Sequence, residues 1–101
     1  MQILYPCCAG LDVHKKTVVA CRLTQDSHHQ SVVEIRTYTT LTPDLLRLSD
    51  WLRAGSVTHV AIESTGVYWQ PLYNLLEAEF RMLLVNPRHF KNVPGRKTDV
   101  K

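Results

Sequence analysis

Two strand-like runs, residues 7–14 and 17–24, are separated by nothing more than Lys15 and Lys16. So short a polar break between alternating segments turns the chain back on itself as a hairpin. Residues 25–30, Gln-Asp-Ser-His-His-Gln, have the composition of a turn, and no role beyond it is expected for His28 and His29. Ser31 to Tyr38 alternates again, Val33 and Ile35 against Glu34 and Arg36, which predicts a third strand and completes a meander. In the first run Ala9, Leu11 and Val13 share one face and Gly10, Asp12 and His14 the other, because strand side chains alternate. Asp12 therefore sits inside a strand, where aspartate is disfavoured and needs a reason to be.

Thr42-Pro43-Asp44 predicts a helix start: a capping hydroxyl, a proline whose missing N–H costs nothing in the first turn, and an early acid suited to the helix dipole. Leu45, Leu48 and Leu52 fall on one face of that helix, and Gly55 supplies its stop. Val57 to Glu63 is a short, mostly apolar run, expected to be a strand covered on both sides. After a Ser64-Thr65-Gly66 turn, Leu72, Leu75, Leu76 and Phe80 mark a second helix, and Met82 to Val85 a fifth strand, broken by Asn86-Pro87. Beyond it the stretch with Pro94 and Gly95 reads as loop or short helix. Strand two takes one edge of strand one, so strand four, arriving through a right-handed helical crossover, is expected to pair with the free edge in parallel. The resulting fold class is α/β, a mixed five-stranded sheet of order 3-2-1-4-5 with flanking helices. Asp12 and Glu63 then lie on adjacent strands, roughly 5 Å apart laterally. Glu63 and its turn close a strand at its carboxyl end, where open sheets place their ligands.

Two carboxylates so close repel each other unless a divalent ion neutralises them, and oxygen ligands suit magnesium or manganese. Asp99 is a candidate third ligand if the chain folds back across the cleft. Taken singly, Glu63 reads as readily as a solvated or ion-paired surface acid. A chain of 101 residues, 45% hydrophobic, supports one core, so residues 1–101 are expected to form a single domain. No apolar run approaches the roughly 20 residues of a membrane span, and no basic-then-apolar secretory pattern opens the chain, so a cytoplasmic location without membrane contact is expected. Cys7, Cys8 and Cys21 show neither zinc spacing nor an even disulfide set, and are expected to pack in the core as small hydrophobes. A net charge of +3 is unspecific, but residues 87–101 hold Arg88, Lys91, Arg96, Lys97 and Lys101 with Asp99 as the only acid. Such a cluster suits a phosphate backbone, and equally a solvated tail. Lys15 and Lys16 divide in the same way between phosphate contacts and a soluble hairpin tip. Tyr68 and Trp69 are expected to anchor the second helix, base stacking being the rarer use of such residues. His14 reads as an ordinary strand histidine, with assistance at a metal site as the alternative.

Gly10-Leu11-Asp12-Val13-His14-Lys15, Ile62-Glu63-Ser64-Thr65-Gly66-Val67-Tyr68, Val85-Asn86-Pro87 and Lys97-Thr98-Asp99 occur in that order. Together they resemble the insertion-sequence transposases of the DEDD type, the IS110 family, over nearly the whole chain. The resemblance implies a ribonuclease-H-like (RuvC-like) N-terminal domain in which Asp12, Glu63 and Asp99 are three acids of a metal-binding tetrad. Its cofactor would be Mg2+ or Mn2+, and its reaction DNA strand cleavage and transfer in transposition. Lys15, Lys16, Arg88, Lys91, Arg96 and Lys97 would neutralise phosphates, adding affinity without sequence choice. DNA is the implied partner, some members use a structured guide RNA, and a homo-oligomer fits enzymes that act on paired ends. The family's fourth acid follows the third in an Asp-x-x-Asp pattern and would fall just after Lys101, and its C-terminal domain lies beyond as well. The chain by itself is therefore expected to be inactive, and a non-catalytic nucleic-acid-binding or dimerisation module is the alternative. The actin-like ATPase and sugar-kinase fold also opens on a meander with an aspartate in strand one. It needs glycines in the first hairpin to cradle phosphate, where this chain has His14-Lys15-Lys16-Thr17.

Overall fold

The computed structural model describes residues 5–64 and 66–85. In chain order they form β1 (Cys8–Val13), β2 (Thr17–Gln25), β3 (Ser31–Thr39), α1 (Thr42–Ala54), β4 (His59–Ser64), α2 (Gln70–Leu76) and β5 (Arg81–Val85). The sheet order is β3-β2-β1-β4-β5, as expected, with β1 to β3 antiparallel and β4 and β5 added in parallel. The first hairpin closes with the His14 N–H donating to the Thr17 carbonyl at 2.8 Å. In the second, the Asp26 carboxylate accepts the N–H groups of His28 and Gln30 at 2.8 and 2.9 Å. That grip holds His29 in the left-handed region at φ 62°, a conformation histidine tolerates better than most side chains.

Strand alternation sorts the sheet into two unlike faces. Ala9, Leu11, Val13, Val18, Ala20, Val60 and Ile62 are buried beneath Leu45, Leu48, Trp51 and Leu52 of α1 and Leu72 and Leu76 of α2. Both helices therefore pack on the same face. The other face bears Gly10, Asp12, Val19, Cys21, Ala61 and Glu63, and no helix among the described residues covers it. There Val33, Ile35 and Leu83 stand 60%, 66% and 62% exposed. This corrects the expectation that β4 is covered on both sides: its apolar run is continuous only because the small Ala61 occupies an outward position between Val60 and Ile62. The three cysteines are half-buried rather than core residues, Cys8 and Cys21 lying on the open face. Burial, with Cys7 and Cys21 adding to it, pushes the Cys8 thiol above its ordinary value. No helix among the described residues is long and apolar enough to cross a membrane.

Helix α1 is tied down at its start by a group other than the expected one. It begins at Thr42 with Leu41 in the capping position and no side-chain cap bond, so the Thr42 hydroxyl is not the cap. The Asp44 carboxylate instead reaches back to accept the Thr39 N–H at 2.9 Å, while pairing with Arg47. The Thr39 amide first, then the Thr39 hydroxyl and Arg47, hold the Asp44 carboxyl below the usual carboxylate range. A depressed folded-state pKa contributes stability above the unfolded value, which is lost as pH falls through the folded one. Asp44→Asn should therefore flatten the acid limb of a stability-against-pH curve below the ordinary carboxylate range while lowering stability at neutral pH. An unchanged acid limb in chemical denaturation would contradict this role.

At the other end Arg22 of β2 lies under the last turn of α1. It donates to the Trp51 carbonyl at 2.6 Å and to Glu34 at 2.5 Å, with its guanidinium 4.4 Å from the Trp51 ring centroid. Arg36 approaches the same ring at 4.8 Å. Gly55 does end the helix, but at φ −90°, so it is not needed for left-handed backbone. It is needed for room: a Cβ there would lie 2.8 Å from Arg22 Cδ, on a side chain pinned by two hydrogen bonds and a ring. Gly55→Ala should cost about 1–3 kcal/mol as an overpacked site, read as a lower urea midpoint at constant slope.

Candidate metal centre

Asp12 and Glu63 are direct partners in the parallel ladder between β1 and β4, in a row completed by Val19 and Val85 on the flanking strands. The core decides that placement. With Leu11, Val13 and Ile62 held against the helices, alternation leaves residues 12 and 63 no choice but the open face, and a one-residue slip of either strand would turn its acid into the core. Each acid is exposed, and both line a shallow groove of about 370 Å3 whose floor includes Gly10, Cys21 and Ala61. His14, on the same face two residues on, brings Nε2 to 3.1 Å from Asp12 Oδ2. This contact was readable from the two-residue period, which already placed both side chains together. Lys15 and Lys16 are exposed in the turn that follows, at the same end of the sheet. The Lys15 and Lys16 carbonyls are held by Thr40, through its hydroxyl at 3.1 Å and its N–H at 3.2 Å.

The donor chemistry fits a hard divalent cation. Two carboxylates on neighbouring strands, in register and open to solvent, offer oxygen ligands without requiring the ion to be stripped of all its water. Among the described residues no cluster of three or more potential ligands occurs, and Asp12 and Glu63 are the two carboxylates that could hold such an ion there. Asp99, Arg88, Lys91, Arg96 and Lys97 lie outside the described residues. The turn after Glu63 contains Gly66 at φ +78°, where a side chain would be strained. Beyond it Tyr68 is exposed, while Trp69 packs against the core and meets Tyr73 edge-to-face at 5.6 Å, the anchoring role expected of it. One feature left no trace in the sequence: Tyr5 stacks on His59 at the far end of the sheet, two residues widely separated along the chain and joined only by the fold.

Among curated proteins none matches this sequence. Among solved structures, the Fowlpox virus resolvase in complex with substrate Holliday junction DNA superposes with a TM-score of 0.56 at 12% identity, over 90% of this chain and 64% of that one. The Fowlpox virus Holliday junction resolvase alone gives 0.57 at 12% identity, over 80% and 61%. A Ppx/GppA family member from Aquifex aeolicus gives 0.50 at 9% identity, over 82% and 36%. The chain thus spans less than two thirds of the length of the resolvases it matches. At such identities the likeness establishes the fold, and that fold is ribonuclease-H-like, of the RuvC-like kind. The family model of the DEDD transposases of the IS110 type, described as transposase, matches residues 9–101. With the sheet order, the two in-register acids and a match over nearly its whole length, the chain belongs to this transposase family.

Proposed function

We propose that this domain cleaves and transfers DNA strands in transposition by divalent-metal-dependent phosphoryl transfer, with Asp12 and Glu63 holding the metal. The observation that carries the reading is the register pairing of the two acids at the carboxyl ends of β1 and β4, on the open sheet face. Asp99 is the proposed third ligand, and Mg2+ or Mn2+ the proposed ion. When bound, the ion would supply positive charge that lowers the pKa of an attacking oxygen nucleophile and stabilises the leaving one. The protein's own part is positional. Asp12 and Glu63 are held about one strand spacing apart by the ladder, His14 fixes one oxygen of Asp12, and the groove over Gly10 and Ala61 gives a phosphodiester access between them. Lys15 and Lys16, at the same end, would meet flanking phosphates, and Arg88, Lys91, Arg96 and Lys97 are proposed for the same task. The Fowlpox virus resolvase complex, of the same fold, holds Holliday junction DNA, which supports DNA as the partner here. A homo-oligomer acting on paired ends, and a guide RNA as a further partner, belong to the same proposal, as does a cytoplasmic location.

The test is nicking of supercoiled plasmid in Mg2+ or Mn2+. Cleavage that EDTA and Asp12→Asn both abolish supports the reading. Because this chain by itself is expected to be inactive, the same assay is run on the chain extended through the fourth acid; DNA bound in the presence of metal but never cut by that longer chain would reassign the domain to nucleic-acid binding or dimerisation.

A further inference from the structure

The amino-terminal ends of β1, β4 and β5, opposite the acid pair, carry a second groove of about 480 Å3 whose lining includes Tyr5, Cys8, His59, Arg81 and Leu83. Within it the Tyr5 and His59 rings stack with centroids 3.6 Å apart and planes 24° from parallel. Thr58 fixes the elements that carry them. Its N–H and its hydroxyl both donate to the Cys7 carbonyl, at 3.1 and 3.2 Å, and its own carbonyl accepts the Arg81 N–H at 2.9 Å. The Thr58 hydroxyl also lies 2.7 Å from His59 Nδ1, a hydrogen bond that fixes the plane of the imidazole ring.

This stack is not a core contact. Tyr5 remains 45% exposed. Arg81, the register partner of His59 on the next strand, is exposed and has no carboxylate partner among the described residues. An aromatic surface held in a fixed plane, with an unneutralised guanidinium one strand away, offers what an unpaired base and its phosphate require. The groove volume also falls within the range of small-ligand clefts.

We propose that this groove is a stacking subsite for an unpaired nucleotide of a single-stranded nucleic acid, its base extending the Tyr5–His59 stack and its phosphate meeting Arg81. His59 and Glu63 lie at opposite ends of β4, about 13 Å apart at the usual rise per strand residue. One strand laid along the open face therefore reaches both grooves, and the subsite would hold it at a fixed distance from the acid pair. The inference rests on the nucleic-acid part of the proposed function and not on its metal chemistry, so its test is run in EDTA, where the two fail separately.

Fluorescence anisotropy of the full chain with labelled oligo(dT), oligo(rU) and an abasic deoxyribose-phosphate oligomer tests it. Tyr5→Leu should weaken binding of the base-bearing oligomers by about 10-fold, Tyr5→Phe should bind as the parent, and both should leave the abasic oligomer unaffected. Arg81→Gln, which leaves the stack in place, should weaken all three and lower the salt slope by about one. Tighter binding of oligo(rU) identifies RNA as the strand held, and tighter binding of oligo(dT) identifies DNA. The proposal is overturned if the parent binds neither, if folded Tyr5→Leu binds base-bearing oligomers as the parent does, if its loss is equal on the abasic oligomer, or if Arg81→Gln leaves the salt slope unchanged.

Discussion

Leu52→Ala is expected to lower the thermal midpoint by roughly 10–30 °C. Leu52 is fully buried in α1, together with Leu48, against a sheet face made of Leu11, Val18, Ala20 and Ile62. Removing its branched end discards the transfer free energy of the lost methyl groups and leaves a cavity that the rigid sheet cannot close, a cost of about 2–5 kcal/mol. Small domains have only about 5–15 kcal/mol of stability to lose, so the variant should sit near its unfolding transition at modest temperature. The matched control is Ile35→Ala. Ile35 is 66% exposed on the open face, and its truncation should change stability by no more than about 0.5 kcal/mol. Circular dichroism melts of the two variants decide the matter: comparable losses would mean that the face bearing Ile35 is covered, and the two-sided description of the sheet would be wrong.

Asp12→Asn is expected to weaken Mn2+ binding by more than about 100-fold, beyond the 10–100-fold typical of residues that only orient a ligand. Glu63→Gln should behave alike, because the two acids face one another across a single strand spacing and neither is a spare. Each acid is exposed, so the substitutions leave the core untouched and the variants should melt as the parent does. Asp50→Asn serves as the control. That acid is also exposed, but it lies on α1 in an ion pair with Arg53. Isothermal calorimetry that found all three variants equally impaired would point to general charge loss; equal affinity in the parent and Asp12→Asn would remove Asp12 from the site.

Much of this arrangement was legible because it follows from short-range constraints. The two-lysine break at Lys15-Lys16 left β1 and β2 only a hairpin to form, and once β2 held one edge of β1 the crossover strand had only the other edge to take. Alternation then put Asp12 opposite the buried Leu11 and Val13, and the adjacency of Asp12 and Glu63 followed from the sheet order. What was not legible depends on contacts across the fold. The bareness of one sheet face was masked because Ala61 and the cysteines count as apolar wherever they point. The anchoring of α1 by Arg22 and Trp51 joins residues far apart in sequence, and Gly55 is required by the Arg22 side chain rather than by its own backbone. The start of α1 was read on the right residues with the wrong one in charge: Thr42 has a capping hydroxyl, but Asp44 reaches the Thr39 amide. The Tyr5–His59 stack joins the start of β4 to a residue ahead of β1, which periodicity has no means to pair.

A divalent ion shared between β1 and β4 is detected by Mn2+ titration, followed through amide line broadening in the isotopically labelled protein. Residues 11–13 and 62–64 should broaden together at the lowest Mn2+ additions while residues 26–30 at the far hairpin stay sharp, and Asp12→Asn should abolish the broadening on both strands at once. Broadening confined to one strand, centred elsewhere, or persisting in Asp12→Asn would contradict a shared ion.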